Sequence, residues 1–221
     1  MGAVGDREQV WERPGPEVLE PFASLEVTSI ADTQYGHGVM SPELRRLTAG
    51  ADRVVGSALT ATITPGNGRV IRRAIELAVP DDVLIVNGSG NVDRAVLGGN
   101  VLMSAAAAGI RAVIVDGAIR DVDEADRLGL PVVARSVCPR SGSNEFGKGE
   151  VGRPIACGGV VVLPGDVIVM DADGVVVIPR DDAREVTSSA QEMQLRKGSS
   201  NDFEARWARA QERLRHRANA D

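Results

Sequence analysis

The sequence has 221 residues, which fits one domain with appended helices. Its net charge of −6 argues against a nucleic-acid-binding protein, which normally shows a basic face. No apolar run approaches the roughly 18 residues of a membrane span. The amino terminus also lacks the basic-then-apolar order of a signal peptide, so we expect a cytoplasmic protein with no nucleic-acid or membrane partner.

The chain divides into three predicted parts. Residues 1–20 are polar and contain several prolines, which predicts a flexible amino-terminal arm. Residues 21–180 predict an α/β domain, and the charged residues 181–221 predict a helical segment that covers the sheet or reaches a neighbouring subunit. Because hydrophobic residues make up 43% and aromatic residues only 3%, we expect a core of Val, Ile, Leu and Ala.

The middle of the chain alternates predicted strands and helices. This alternation favours right-handed crossovers and a largely parallel sheet. A glycine-rich segment at residues 88–99 predicts a loop. From residue 154 onwards, short apolar runs separated by "PGD" and "DADG" predict hairpins in a second sheet. The strands are predicted at residues 53–64, 80–88, 111–117 and 131–137, and the helices at 69–79, 100–109 and 121–129.

Two glycines open the alanine-rich helix of "LGGNVLMSAAAAG". The backbone N–H groups of Gly99, Asn100, Val101 and Leu102 are then expected to be unpaired and unobstructed. Such a helix end binds carboxylate or phosphate groups. The alternative is that Gly98 and Gly99 only permit a tight turn.

Arg120 and Asp121 follow the strand "AVIV" and its extension in "VDGAIRD". Open α/β sheets bind ligands beyond the carboxyl ends of their strands. A forked guanidinium suits a small carboxylate, and an aspartate suits magnesium, which commonly takes only one or two carboxylates plus waters and substrate. The alternative is that Asp121 caps the next helix, where Asp123 and Glu124 would favour the helix dipole. That explains the aspartate but not the arginine, and we interpret Asp116 as a strand-end residue outside the site.

The remaining candidate residues favour structural roles. His37 has no second histidine or cysteine nearby in the sequence, which argues against a zinc site. Cys138 and Cys157 form no CxxC pair and are interpreted as reduced thiols. The segment "GSNEFGKG" lacks the Ser or Thr and the helix that a phosphate-binding loop requires after its lysine.

The segments "GGNVLMSAAAAGIRAVIVDGAIRDVDEADRLGLPVVARSVCPR" and "GKGEVGRPIACGGVVVLPGDVIVMDADGVVVIP" resemble the RraA-like family. Its members include class II 4-hydroxy-4-methyl-2-oxoglutarate/4-carboxy-4-hydroxy-2-oxoadipate aldolases and the regulator of RNase E activity. The resemblance covers residues 26–185 and is most specific from residue 98 to 121. It implies a swivelling-type β/β/α sandwich, assembled as a homotrimer or a dimer of trimers.

The resemblance also implies roles for individual residues. Gly98, Gly99, Asn100 and Val101, with Arg120, would hold the carboxylate and the enolate oxygen of pyruvate. In the next position of the chain, Asp121 would be the metal-side ligand and hold Mg²⁺ or Mn²⁺ largely through waters. The regulator proteins lack the Arg-Asp pair, so its presence favours an enzyme.

The sequence departs from the aldolase pattern at one position. Some aldolases have an acidic residue where this chain has Gly99, and a glycine cannot supply that carboxylate. This difference argues against aldol cleavage of the large tricarboxylate-like substrates. A glutamate from a neighbouring subunit also serves in some members, and Glu192 is the candidate here.

We therefore expect a divalent-metal-dependent aldolase, a lyase. It would cleave a 4-hydroxy-2-oxo acid such as 4-hydroxy-4-methyl-2-oxoglutarate to pyruvate, and oxaloacetate decarboxylation would pass through the same enolate. One alternative is a non-catalytic binding protein that resembles the regulator of RNase E activity. Another is an enzyme of the same fold acting on a different 2-oxo acid, which Gly99 would allow.

Overall fold

The computed structural model describes residues 11–64, 69–142, 149–196 and 203–218. The strands are β1 (Arg45–Arg46), β2 (Val54–Ile63), β3 (Asp82–Leu97), β4 (Ala112–Ile119), β5 (Val132–Val137), β6 (Gly149–Val151), β7 (Ile155–Cys157), β8 (Val160–Val162), β9 (Val167–Asp171) and β10 (Gly174–Ile178). The helices are α1 (Pro16–Leu19), α2 (Val27–Thr33), α3 (Arg69–Glu76), α4 (Gly99–Ala107), α5 (Val122–Leu128), α6 (Ala183–Arg196) and α7 (Phe203–Ala218), with short 3-10 helices at Glu20–Ser24 and Arg180–Asp182. No described helix is both long and apolar enough to cross a lipid bilayer.

The main sheet has the strand order β1-β5-β4-β3-β2-β9-β10, and β6 pairs with β2 at its side. Strands β2, β3, β4 and β5 pair in parallel, as the alternating pattern predicts. The crossover helices α4 and α5 end at the expected places, because Gly109 and Gly129 take the positive φ values (+80° and +63°) that close a helix. The predicted parallel α/β core is confirmed.

Two predicted features of this sheet are wrong. The β9–β10 hairpin, with the expected turn at "DADG", joins the main sheet through β2 instead of forming part of a separate sheet. Its strands are apolar on both faces and nearly all their residues are buried, which suits a central position. The segment at residues 88–99 is not a loop over most of its length, because β3 continues to Leu97 against β4 through several register shifts.

The molecule has three layers. Alternate residues of β2 point to opposite faces of the sheet: Leu59 and Ala61 pack with α3, α4 and α5, whereas Val54 and Ala58 pack with the small β7–β8 sheet. On the helix side, α2 and α6 cover β9 and β10. The order small sheet, main sheet, helices is the β/β/α sandwich that the family resemblance implies.

Part of the predicted arm contacts the domain. Residues 1–10 lie outside the described residues, but Arg13 donates to both carboxylate oxygens of the buried Asp82, at 2.8 and 2.9 Å. Its guanidinium also lies 4.5 Å from the ring centre of Trp11, which packs against the core on the helix side. From residue 11 onwards, the segment is thus held to the start of β3.

Candidate active site

The start of α4 and the start of α5 lie side by side. Strands β3 and β4 pair up to their last residues, Leu97 and Ile119, so the two connections leave the sheet at the same edge. The N–H of Arg120 donates to the carbonyl of Leu97 at 3.1 Å and fixes one connection against the other. The fold therefore brings Gly98 and Gly99 next to Arg120 and Asp121, which are 22 residues further along the chain.

Asp121 joins the two helices. Its Oδ2 accepts a hydrogen bond from the N–H of Gly99, the first residue of α4, at 2.8 Å. It makes no side-chain hydrogen bond to its own helix, α5, so the interpretation of Asp121 as a side-chain cap of that helix is wrong. Its backbone is left-handed, at φ 60° and ψ 43°, a conformation that costs a non-glycine residue on the order of 1–2 kcal/mol. The chain maintains this strain at a carboxylate that points across to α4.

The guanidinium of Arg120 lies beside the Asp121 carboxylate, but only its Nε contacts that carboxylate. Its Nε lies 3.5 Å from Asp121 Oδ2, and both side chains are about two-fifths exposed, at 40% and 41%. An ion pair this exposed contributes little to stability. Among the described residues, the other guanidinium nitrogens of Arg120 make no hydrogen bond, so the fork remains open to an anionic ligand.

Charged side chains of the neighbouring connection lie against the two glycines. A Cβ atom on Gly98 would lie 2.5 Å from Asp121 Oδ2 and 2.8 Å from Arg120 Cγ. A Cβ atom on Gly99 would overlap Glu124 Oε2 and lie 2.5 Å from Glu124 Cδ. The φ of Gly98 is −149°, which any residue can adopt, so its backbone does not demand glycine. Because Gly98 and Gly99 have no side chains, Arg120, Asp121 and Glu124 can lie against them. The two glycines therefore do more than permit a tight turn.

The start of α4 offers fewer free backbone N–H groups to an anion than the sequence predicts. Of the four amides expected to be free, Gly99 donates to Asp121, and those of Val101 and Leu102 donate to the carbonyl of Gly98 at 2.9 and 3.1 Å. Within the described chain, the N–H of Asn100 has no such partner. The helix start therefore offers one free amide beside the Arg120 fork, because the tight first turn and Asp121 satisfy the others.

The sequence does not predict the contact of Glu124 with Gly99. It is exposed and lies in the first turn of α5, where its charge was attributed to the helix dipole alone. In the structure its carboxylate lies over the buried Gly99, on the neighbouring helix. The signal in the sequence was its spacing of three residues from Asp121, which puts both side chains near one face of the first turn.

Asp116 lies in a different cluster, as expected. It is buried, accepts a hydrogen bond from Arg135 Nε, and accepts another from the N–H of Gly158 at 2.8 Å. Arg135 also donates to Glu43, and its hydrogen bond to Asp116 raises the pKa of the guanidinium. Nearby, burial raises the pKa of the Cys157 thiol to about 12, with a further contribution from the charge of Asp116. This cluster has all its charges paired.

The carboxylates at the start of α4 fit a magnesium-type ion that substrate and water complete. Among the described residues, no group of three or more His, Cys, Asp or Glu side chains could enclose a metal. Asp121 offers one carboxylate, and magnesium commonly takes only one or two protein carboxylates, with waters and substrate completing its shell.

The comparisons with known proteins agree with the fold. The family model described as RraA-like, Aldolase/RraA, matches residues 27–177. The chain belongs to the RraA-like family. The RraA-like match contains all the residues of the candidate site, from Gly98 to Glu124.

Named relatives of this RraA-like protein include aldolases. A protein of Halalkalibacterium halodurans named "Putative 4-hydroxy-4-methyl-2-oxoglutarate aldolase" is 35% identical over 80% of this chain and 84% of its own. The 4-hydroxy-4-methyl-2-oxoglutarate aldolase of Thermus thermophilus is 33% identical over 69% of this chain and 91% of its own. The crystal structure of Streptomyces coelicolor RraAS2, described as an unusual member of the RNase ES inhibitor RraA protein family, superposes with a TM-score of 0.78 at 27% identity. It covers 87% of this chain and 100% of its own.

Proposed function

We propose that this protein is a divalent-metal-dependent lyase that cleaves a 4-hydroxy-2-oxo acid, such as 4-hydroxy-4-methyl-2-oxoglutarate, to pyruvate. The observation that carries the proposal is the strained Asp121, which turns its carboxylate away from its own helix and towards Gly99. Folding α5 does not require this geometry, because the carboxylate does not cap that helix. The names of the aldolase relatives support the same reaction class.

Substrate binding would use the unpaired donors of the site. The 2-oxo acid carboxylate would receive hydrogen bonds from the fork of Arg120 and from the N–H of Asn100 at the start of α4. Two parallel N–H···O bonds from a guanidinium fix the plane of a carboxylate as well as its position. The substrate would then lie with its C2 oxygen towards Asp121.

The reaction moves one electron pair onto this C2 oxygen. The 4-hydroxyl loses its proton, the C3–C4 bond breaks, and the released pair forms the enolate of pyruvate, while C4 becomes the carbonyl of the second product. Protonation at C3 then gives pyruvate. Arg120 would stabilise the charge that develops, and a preorganised donor of this kind contributes about 10²–10³-fold to turnover. A divalent cation held at Asp121, largely through waters, would polarise the 2-oxo group when bound.

Decarboxylation of oxaloacetate would use the same groups. The C3–C4 bond breaks again, carbon dioxide leaves, and the electron pair forms the same pyruvate enolate. The active unit would be the homotrimer or dimer of trimers that the family resemblance implies, with Glu192 of a neighbouring subunit as a candidate contributor. In this chain the exposed Glu192 accepts from Arg196 at 3.1 Å, one turn along α6.

The direct test is an assay for released pyruvate. The purified protein is incubated with 4-hydroxy-4-methyl-2-oxoglutarate or with oxaloacetate, each with Mg²⁺, with Mn²⁺ or with EDTA. We expect pyruvate in the presence of either metal and its loss with EDTA, restored by adding excess metal. Absence of EDTA-sensitive pyruvate from both substrates would overturn the proposal.

A second candidate function is a non-catalytic regulator of an RNase E-type ribonuclease. The favouring observation is the superposition on Streptomyces coelicolor RraAS2, which its description assigns to the RNase ES inhibitor family. This function predicts a tight complex with a ribonuclease and no pyruvate release. A pull-down with purified RNase E alongside the pyruvate assay separates the two.

A further inference from the structure

We propose that residues 11–13 form a strap that holds the turn before β9 to the start of β3, and that this strap opens locally before the domain unfolds. The elements concerned meet at one edge of the main sheet. Ser57 of β2 is in register with Asp82, the first residue of β3, and with Val167, the first residue of β9. This edge is opposite to the one that carries Arg120, so the strap is independent of the proposed reaction.

Arg13 provides the main contact of the strap. Both carboxylate oxygens of the fully buried Asp82 accept hydrogen bonds from Arg13, at 2.8 and 2.9 Å. The same guanidinium donates to the carbonyl of Leu77, directly after α3, at 3.0 Å. Among the described residues, the only other donor to the Asp82 side chain is the N–H of Val79, at 3.0 Å. A closed strap without Arg13 would therefore bury a carboxylate that lacks a counter-charge, which is strongly destabilising.

Glu12 connects the strap to the turn at residues 163–166. Its carbonyl oxygen accepts a hydrogen bond from Arg180 Nη1 at 3.1 Å, just after β10. The same oxygen occupies the place that a Cβ atom of Gly165 would take. This obstacle is backbone, which cannot move aside like the end of a side chain, and Gly165 also has a φ of +87°. The turn thus needs a glycine where the strap lies against it.

Two hydrogen bonds join this turn to β2 beside the strap. The N–H of Gly165 donates to the carbonyl of Ala58 at 2.9 Å, and the N–H of Ala58 donates to the carbonyl of Asp166 at 2.8 Å. The Asp166 side chain also accepts from the N–H of Arg180, at 3.2 Å. Release of the strap frees one side of this unit, so the amides of Ala58 and Gly165 should report its opening.

The hold of the strap is concentrated in the Arg13–Asp82 pair. The ion pair of Glu12 with Arg180 has side chains that are 85% and 36% exposed, so it contributes little. Trp11 packs against the core, but its buried indole N–H has no hydrogen-bond partner among the described residues. Loss of the single buried pair should therefore be enough to open the strap.

The test is hydrogen–deuterium exchange of the whole protein, read at single amides by mass spectrometry with fragmentation. In the unmodified protein we expect the amides of Ala58 and Gly165 to be about tenfold less protected than those of residues 113–115 in β4, because they exchange through local opening. Arg13→Gln should speed exchange at Ala58 and Gly165 by about 100-fold, the scale expected for breaking a buried pair. Arg13→Lys keeps the charge with fewer donors and should have a smaller effect in the same direction.

Two control variants separate local from global opening. Asp116→Ala removes contacts that remain intact when only the strap opens. It should therefore speed exchange in β4, which needs global unfolding, and leave Ala58 and Gly165 unchanged. Arg111→Gln is the matched arginine control, because Arg111 pairs with Asp81, next to Asp82, through side chains that are 53% and 56% exposed. It should change neither set of amides.

A double variant tests the role of the buried charge. Asp82→Asn in the Arg13→Gln background removes the uncompensated carboxylate, so we expect slower exchange at Ala58 and Gly165 than in Arg13→Gln alone. No recovery would show that charge pairing does not hold the strap.

Two further results would overturn the local opening. Unchanged exchange at Ala58 and Gly165 in Arg13→Gln would show that the strap does not control these amides. Equal acceleration of both sets by Asp116→Ala would show that they exchange only through global unfolding. Neither result depends on whether the protein releases pyruvate.

Discussion

Two Asp-Arg pairs of opposite character have their aspartates five residues apart, one on strand β4 and one just beyond its end. Asp116 is paired with Arg135, and its side chain is only 11% exposed. Asp121 follows the end of the strand, lies beside Arg120, and has a side chain that is 41% exposed. In the first pair every charged group has partners, since Asp116 also accepts from Gly158 and Arg135 also reaches Glu43. In the second pair the arginine fork is open and the aspartate is strained.

Under the proposed function, the same residue types divide between stability and chemistry. Asp116 ties β4 to β5 and to the β7–β8 sheet, because each of its carboxylate oxygens accepts a hydrogen bond from one of these elements. Asp121 and Arg120 gain little from each other and keep hydrogen-bonding capacity, at the sheet edge where α/β proteins bind ligands. Substitutions at Arg120 or Asp121 should therefore lower turnover with little effect on the free energy of unfolding. Substitutions at Asp116 should lower the free energy of unfolding with little effect on turnover.

The largest expected effect is a loss of turnover when Arg120 or Asp121 is replaced. Arg120→Ala and Asp121→Asn should each lower metal-dependent pyruvate release at least 100-fold, because they remove a donor to the developing charge or a metal-side carboxylate. Asparagine tolerates the left-handed backbone and still accepts from Gly99, so the free energy of unfolding of Asp121→Asn should change by less than about 1 kcal/mol. Steady-state kinetics and urea denaturation measure the two quantities. Retained turnover in either variant would contradict the assignment of the site.

A stability effect is expected at the first pair. Asp116→Ala leaves the N–H of Gly158 and much of the Arg135 charge without an acceptor. We expect it to lower the free energy of unfolding by roughly 2–4 kcal/mol. Glu43 still pairs with Arg135 and keeps the loss from being larger. Urea denaturation gives the change, and the folded variant should retain pyruvate release within a few-fold. A variant with normal stability and abolished turnover would show that this cluster also belongs to the active site.

The sequence predicts the parts of this comparison that depend on local pattern. The parallel strands, the glycine ends of α4 and α5, and the meeting of Gly98 and Gly99 with Arg120 follow from periodicity and from the geometry of crossovers. The partner of the Asp121 side chain does not follow, because a left-handed aspartate at a helix start looks like an ordinary cap in the sequence. The place of Glu124 over Gly99 also depends on how α4 and α5 pack, and no short sequence window contains that information.

The prediction that β9 and β10 belong to a separate sheet is wrong for a related reason. Their apolar runs correctly predict a hairpin, but a hairpin can pair with either sheet. Pairing with β2 is decided by long-range burial on both faces of Val167, Ile168 and Val169. Local pattern therefore identifies this element, whereas tertiary contacts determine which sheet it joins.

The smallest effect is expected on the reactivity of the Cys157 thiol, which lies near Asp116 and Arg135. Burial raises the pKa of Cys157 to about 12, so at pH 8 the thiol stays protonated in the folded protein and lacks the thiolate that reacts with disulfide reagents. Cys138 is only partly buried and should react in the native state. Ellman's reagent should therefore titrate one thiol per chain in buffer and both thiols in denaturant. Destabilising the cluster with Asp116→Ala should speed the reaction of Cys157 through transient opening, whereas Asp121→Asn should leave its rate unchanged. Equal acceleration by both variants would mean that the two pairs are mechanically coupled along β4, and the division between a stabilising pair and a chemical pair would then fail.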